Sequence, residues 1–211
     1  MVPDYLARLL ARRKVDDSVQ LIVAKNADEG LLFTDPRVQD QAAFKAYMSA
    51  LMPSIPPAKI DTLAEEIYPE DFSGAFPYQT QTERLTLALK EGLVTCNAFG
   101  TDIAYRNKTR SYQFSVFPGI HAQDVSYTFF NGQATDSLGL PIVASVAETM
   151  QRFFVDFAAY GTASTSTVDQ IPVYGANAAV LDISNSGMAT ITDPAANSRC
   201  RFWLRGLYST C

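Results

Sequence analysis

Two short strand-like segments, separated by long helical segments, constrain the fold of this chain more than any other feature. Residues 19–24 (VQLIVA) form a compact apolar run rich in β-branched side chains, which predicts a buried strand. Residues 111–117 (SYQFSVF) alternate apolar and polar side chains and end at Pro118-Gly119, which predicts a second strand. Strands that alternate with helices are typical of α/β folds, so we expect that class.

The segments between and around these strands carry the apolar periodicity of amphipathic helices. Gly161 is expected to cap the long helix that precedes it. The pattern predicts helices over 4–14, 39–52, 57–68, 79–107 with breaks near Gly92 and Gly100, 141–160 and 195–209, and a hairpin over 180–191.

The composition excludes several classes of protein. No apolar run approaches the roughly 20 residues that span a bilayer, so we expect no transmembrane segment. A net charge of −5 gives no general attraction to nucleic acid, so no nucleic-acid partner is expected. The chain has one histidine and three cysteines without C-x-x-C spacing, and it has no glycine-rich phosphate loop. We therefore expect no metal site and no nucleotide.

The N-terminal region and one sequon point to different compartments. Residues 5–14 lack the apolar stretch of a signal peptide, so we expect no signal peptide in this chain. Asn107-Lys108-Thr109 is an N-glycosylation sequon, which acts only in a secretory compartment. Two interpretations follow: a cytoplasmic protein, or a chain whose beginning is missing.

Glu29 and His121 each come directly after a predicted strand. In open α/β sheets, functional sites gather at the carboxyl ends of the strands. A carboxylate that accepts the Nδ1–H of an imidazole fixes its tautomer and leaves Nε2 free to take a proton from a nucleophile. The other interpretation is a surface glutamate and an unpartnered loop histidine.

The segments around these two residues resemble the type B carboxylesterases, the α/β-hydrolase branch that includes lipases and cholinesterases. Residues 23–33 (VAKNADEGLLF) are similar to the acid motif of that family, in which Glu before Gly follows a sheet strand. Residues 117–124 (FPGIHAQD) resemble its histidine motif, with an acidic residue three positions after the His. Residues 198–203 (SRCRFW) resemble its C-terminal Cys-x-aromatic-Trp segment. The resemblance extends over about residues 3–209, and the sequence of these segments is similar to that of secreted fungal members.

This resemblance implies a mostly parallel sheet flanked by helices, and a Ser-His-Glu triad for hydrolysis of carboxylic esters. Glu29 is then the triad acid and His121 the triad base, and Cys96 and Cys200 form a disulfide. A small-molecule or lipid ester is the implied substrate, and no cofactor is implied.

The sequence departs from the family at the nucleophile. No serine lies in a G-x-S-x-G elbow, and the Gly-Gly oxyanion segment is absent. Both parts lie in the N-terminal portion of family members, which are more than twice this length. We therefore expect residues 1–211 to be a single partial domain, the C-terminal part of a secreted carboxylesterase, inactive without the N-terminal portion. A non-catalytic derivative that acts in binding or association is the alternative, and an incomplete gene model is a third interpretation.

Three further residues within the two motifs have two interpretations each. Asp124 either orients the histidine loop by hydrogen bonds or is a solvated loop acid. By the resemblance, Leu32 and Phe33 help to form the wall of the substrate pocket, whereas packing into the core is the interpretation that their apolar character favours.

Overall fold

The computed structural model describes residue 4, residues 6–161 and residues 170–205. Helices of several lengths surround a small sheet in this part of the chain. The α-helices are α1 (Leu6–Ala11), α2 (Gln41–Leu51), α3 (Pro57–Thr62), α4 (Gln81–Lys90), α5 (Cys96–Ala104), α6 (Gln123–Thr128), α7 (Ala144–Tyr160) and α8 (Ser198–Leu204). A 3-10 turn covers Leu31–Phe33, and π-helical turns cover Leu63–Ile67 and Glu91–Thr95.

The described residues form a mixed sheet of four strands in the order β1-β2-β3-β4. The pairs β1/β2 and β2/β3 are parallel, whereas β3 and β4 form an antiparallel hairpin. Since parallel strands end at the same edge of a sheet, the loops after β1 and β2 lie side by side. The strands are β1 (Ile22–Asn26), β2 (Arg110–Ser115), β3 (Ala179–Ser184) and β4 (Gly187–Thr192). The α/β class and the mostly parallel sheet are confirmed.

Two apolar clusters pack on opposite faces of this sheet. Alternation along β3 directs Val180 into one cluster and Leu181 and Ile183 into the other. The first cluster includes residues of α2, α3, α4, α5 and α8. The second includes Tyr112 and Phe114 of β2 and the apolar stripe of α7. Helices therefore cover both faces, as the α/β pattern predicts.

The first strand begins three residues later than the apolar run predicts. Val19 is exposed, and β1 starts at Ile22 and continues through Lys25 and Asn26, which are buried. Lys25 remains buried because its ammonium pairs with Asp193, whose side chain is also buried. β1 pairs with β2 alone among the described strands, so the strand is less buried at its start than a central strand would be.

The predicted break at Gly100 is wrong, whereas the one near Gly92 corresponds to a π-helical turn. α5 runs through Gly100 without interruption, because the glycine serves close packing and not a turn. A Cβ at Gly100 would lie 2.3 Å from Cδ2 of Leu204 in α8. The missing side chain therefore lets α5 and α8 approach each other.

A disulfide also joins these two helices. Cys96 at the start of α5 and Cys200 in α8 are bonded, with their Cα atoms 4.8 Å apart. This is the pairing that the resemblance implies. Cys211 lies outside the described residues, as do residues 206–209 of the predicted closing helix.

Other predicted elements agree with the structure. Pro57 is the first residue of α3, and α7 ends at Gly161 in the left-handed conformation, with φ of +69°. The hairpin turns at Asn185-Ser186. None of the helices in the described ranges is long and apolar enough to cross a membrane.

Candidate active site

The turn after β1 is fixed against the loop that follows β2. The Ala27 amide donates to the Phe114 carbonyl at 2.8 Å, and the Asp28 amide donates to the Gly119 carbonyl at 2.7 Å. On its other side the turn lies against α4, where a Cβ at Gly30 would be 2.0 Å from the Thr86 carbonyl oxygen. Backbone contacts on two sides thus set the position of Glu29.

Glu29 and His121 are in direct contact at this edge of the sheet. Nδ1 of His121 lies 2.5 Å from Oε2 of Glu29, although the residues are 92 positions apart in sequence. Glu29 is 2% exposed, whereas the His121 side chain is 42% exposed. The carboxylate is therefore shielded from water while the imidazole is open to an incoming group. The described residues give the histidine no serine partner.

The second oxygen of Glu29 is held by Asn26. Oε1 accepts the Asn26 backbone N–H at 2.6 Å and its side-chain amide at 3.3 Å. Donors on this oxygen fix the plane of the carboxylate. Both Asn26 and Glu29 are buried, so few other groups compete for these bonds.

The histidine loop has its own support, which comes from Gln123. The Gln123 side-chain oxygen accepts the Gly119 amide at 2.8 Å, and its nitrogen donates to the Phe117 carbonyl at 3.3 Å. Gly119 and Ala122 both have positive φ, of +68° and +65°, so the loop turns sharply on either side of His121. α6 begins directly after this turn, although the apolar periodicity of the sequence predicts no helix there.

Asp124 belongs to the same hydrogen-bond network. Its Oδ1 accepts from the Asn26 side-chain amide at 3.0 Å, and its Oδ2 accepts from the Tyr112 hydroxyl at 3.3 Å. Burial raises the pKa of Tyr112, with a further contribution from the Asp124 charge, so the hydroxyl stays protonated and donates. Asp124 is therefore not a solvated acid. It reaches the acid turn through Asn26 and makes no direct bond to His121.

The residues after Glu29 are exposed, which contradicts the expectation that they pack into the core. Leu32 is 55% exposed and Phe33 is 38% exposed. The Phe33 ring meets the His121 imidazole edge-on, with ring centroids 5.2 Å apart. The 3-10 turn at Leu31–Phe33 points these side chains outward, because a three-residue turn against α4 leaves no interior volume for them.

Two further charged groups lie near Glu29. Burial raises the pKa of the Asp28 carboxyl, the Lys90 ammonium opposes that shift, and Glu29 adds to it. Burial lowers the pKa of Lys90, an effect that Asp28 opposes. The Lys90 charge on α4 thus offsets the charge of two adjacent carboxylates.

Sequence reasoning selected Glu29, His121 and Asp124, and the structure brings these three into one network. It did not identify Asn26, Gln123 and Tyr112, although Asn26 and Gln123 lie inside the two quoted motifs. These three residues support the site through side-chain hydrogen bonds, and the sequence alone does not show which groups those bonds join. Among the residues described here, no group of three or more His, Cys, Asp or Glu side chains suits a metal ion.

Comparisons with known sequences and with solved structures both find esterases. No protein-family model matches the chain. Carboxylesterase patB of Penicillium expansum is 31% identical over 202 residues, which cover 96% of this chain and 36% of that protein. Carboxylesterase patB of Aspergillus clavatus is 28% identical over the same shares. The chain thus spans about a third of the length of these curated relatives.

Solved structures share the fold. Aspergillus niger EstA matches with a TM-score of 0.76 at 15% identity, over 97% of this chain and 43% of that one. A PNB esterase matches with a TM-score of 0.69 at 21% identity, over 96% of this chain and 41% of that one. By sequence and fold together, the chain is a homologue of the type B carboxylesterases that corresponds to their C-terminal portion and carries that part of the α/β-hydrolase fold.

Proposed function

We propose that this chain supplies the acid and the base of a carboxylic ester hydrolase whose nucleophilic serine lies in the N-terminal portion of the fold. The observation that carries the proposal is the contact between His121 Nδ1 and the buried Glu29 carboxylate. Relatives named carboxylesterase over nearly the whole chain give the contact its chemical context.

In this mechanism His121 is first a general base and then a general acid. While the Nδ1–H stays on the ring and donates a hydrogen bond to the Glu29 carboxylate, Nε2 removes the serine proton as the hydroxyl attacks the ester carbonyl. The imidazolium that forms is stabilised by the Glu29 carboxylate and then protonates the leaving alkoxide. Water repeats the sequence on the acyl-enzyme, and an oxyanion hole from the N-terminal portion holds the negative charge.

The substrate is an ester with an apolar body, either a small molecule or a lipid. Leu32 and Phe33 are exposed beside the imidazole, and Phe33 meets its ring. Exposed apolar side chains next to a base are suited to form one wall of an acyl or alcohol pocket. The opposite wall, like the serine, belongs to the N-terminal portion, and residues 1–211 are then one part of a single domain.

The parent protein is proposed to be secreted and glycosylated at Asn107. A disulfide between Cys96 and Cys200 is typical of oxidising compartments. Asn107 lies half-buried in the turn between α5 and β2, and the Thr109 hydroxyl is buried and donates to Asp102. Because the folded turn encloses this threonine, glycan addition would precede folding.

The test is hydrolysis of p-nitrophenyl butyrate. The 211-residue chain alone should give no turnover typical of an esterase, because it lacks the elbow and the oxyanion hole. Sequencing the 5′ end of the transcript should give an in-frame G-x-S-x-G, and the extended chain should hydrolyse the ester. In that extended chain, His121→Ala should abolish turnover, and Glu29→Gln should lower kcat by about 10⁴.

Glu148→Gln is the matched control, since it makes the same change at an exposed position of α7. An extended chain that hydrolyses the ester equally well with His121→Ala would contradict the mechanism. If no extension exists and the chain binds a partner without hydrolysis, the non-catalytic alternative is correct.

A further inference from the structure

The amide of Asn26 lies between two carboxylates that are far apart in sequence. Its Nδ2 donates to Glu29 Oε1 at 3.3 Å and to Asp124 Oδ1 at 3.0 Å. The Asn26 backbone N–H donates to the same Glu29 oxygen at 2.6 Å. One residue thus directs three N–H bonds at the network that contains His121.

The orientation of this amide is dictated by its surroundings. Ionised carboxylates only accept hydrogen bonds, so the NH₂ group must face them and the carbonyl must point away. The carbonyl oxygen, Oδ1, is buried and accepts no hydrogen bond from the described residues. An unsatisfied buried oxygen is unfavourable. The hydrogen bonds that the NH₂ group donates to the two carboxylates therefore have to outweigh the cost of leaving Oδ1 unpaired.

We propose that Asn26 is a positioning residue that keeps the Glu29 carboxylate turned toward His121 Nδ1 and apart from the Asp124 carboxylate. Its N–H groups occupy Oε1, which leaves Oε2 for the imidazole. Its side-chain NH₂ group also lies between the Glu29 and Asp124 carboxylates and donates to both. The catalytic importance of this role rests on the proposed function, whereas the effect of Asn26 on the orientation of the His121 imidazole is independent of it.

Other charged or titratable groups surround the pair. Asp28 adjoins Glu29 in the turn, Lys90 acts on both from α4, and Tyr112 of β2 donates to Asp124. Substitutions of Asn26 leave all of these in place. A change at His121 that the Asn26→Asp and Asn26→Ala variants share therefore reports the loss of the side-chain NH₂ group.

His121 is the only histidine in the chain, so one imidazole gives all of the histidine ring signals in a nitrogen-15 NMR spectrum. The measurement uses the 211-residue chain and reads two quantities. The first is the ratio of the Nδ1–H and Nε2–H tautomers, taken from the two ring-nitrogen shifts. The second is the exchange rate of the Nδ1 proton with water. In the wild type we expect the proton on Nδ1, with slow exchange.

Two variants separate donation from packing. Asn26→Asp keeps the size of the side chain but replaces the NH₂ donor with a third carboxyl group. Asn26→Ala removes the side chain and remains informative if three buried carboxyl groups prevent folding. Each should speed exchange of the Nδ1 proton by about tenfold or more and increase the Nε2–H tautomer, since one charge-assisted bond on Glu29 is lost.

Asn97→Asp is the matched control, because the Asn97 amide binds the Leu93 carbonyl within its own helical segment. It should leave both quantities unchanged. Folded Asn26 variants with the wild-type tautomer ratio and exchange rate would overturn the proposal, even if their stability falls. Failure of the extended chain to hydrolyse esters, with these NMR changes present, would instead contradict the proposed function alone.

Discussion

Asp102 is a buried carboxylate that accepts hydrogen bonds on one oxygen from two hydroxyl groups. Thr109 and Ser111 donate to its Oδ1, the latter at 2.7 Å. Burial raises the pKa of Asp102 to about 6, although both hydroxyl groups oppose the shift. Relative to the unfolded chain, the fold therefore favours the neutral form of Asp102.

This shift predicts a stability that falls as pH rises from about 4 to about 6. The folded state holds a proton in that window that the unfolded chain releases, so each step toward neutral pH favours unfolding. Asp102→Asn removes the titration and should stabilise the protein at pH 7 by on the order of 2 kcal/mol. Urea unfolding at pH 4 and pH 7 measures both variants. Asp17→Asn, at an exposed carboxylate, should retain the wild-type pH dependence. A wild-type slope in Asp102→Asn would refute the assignment.

At the scale of elements, the acid turn is fixed by its packing on α4. A Cβ at Gly30 would lie 2.0 Å from the Thr86 carbonyl oxygen and 2.9 Å from the Lys90 amide nitrogen. Both are backbone atoms of a helix, so they cannot move aside without moving the helix or the turn. The glycine is required for space and not for a positive φ.

Gly30→Ala should therefore destabilise the protein by about 3 kcal/mol, as overpacking against backbone does. It should also displace Glu29, which the His121 ring-nitrogen shifts would report. Gly132→Ala is the control, because no atom lies within 4 Å of its Cβ position. Only its positive φ opposes alanine there, at about 1 kcal/mol. Equal losses in the two variants would show that the contact with α4 does not constrain the turn.

The sequence predicts long elements better than short ones. α2 and α7 follow from their apolar periodicity and the cap at Gly161, because many residues carry one signal. α6 has six residues and depends on contacts with α7, so its sequence alone does not distinguish it from a loop. The apolar run predicts a start of β1 that is three residues too early, because the run does not reveal where pairing with β2 begins.

The candidate site divides in the same way. Glu29 and His121 each follow a strand, and the two strands are parallel neighbours, so their proximity follows from the topology of the sheet. Asn26 and Asp124 are 98 positions apart, and their contact depends on side-chain geometry that no local pattern contains. The exposure of Phe33 likewise depends on how a short turn meets a helix.

At the scale of the whole molecule, one covalent bond closes a large part of the chain. The Cys96–Cys200 bridge spans 104 positions and joins α5 to α8. Closing a loop of this length limits the unfolded state, and chain entropy gives about 4–5 kcal/mol of stabilisation.

Reduction should lower the free energy of unfolding by that amount, as denaturant titrations with and without reductant would measure. In denatured, unreduced protein a thiol reagent should find one reactive cysteine per chain. Cys211→Ser should bring that count to zero, whereas a count of three in the wild type would refute the bridge.

The same bridge makes Glu29 and His121, the proposed catalytic pair, respond differently to a pulling force. A force applied at the chain ends passes through the bond between Cys96 and Cys200 and bypasses everything between them. β2, β3, β4 and the loop of His121 lie inside that shielded region, whereas β1 and Glu29 lie on the loaded segment. Tension would therefore peel the strand of the acid away while the strand of the base stays enclosed. Until the bond is reduced, about 350 Å of contour length stays hidden from the pulling device.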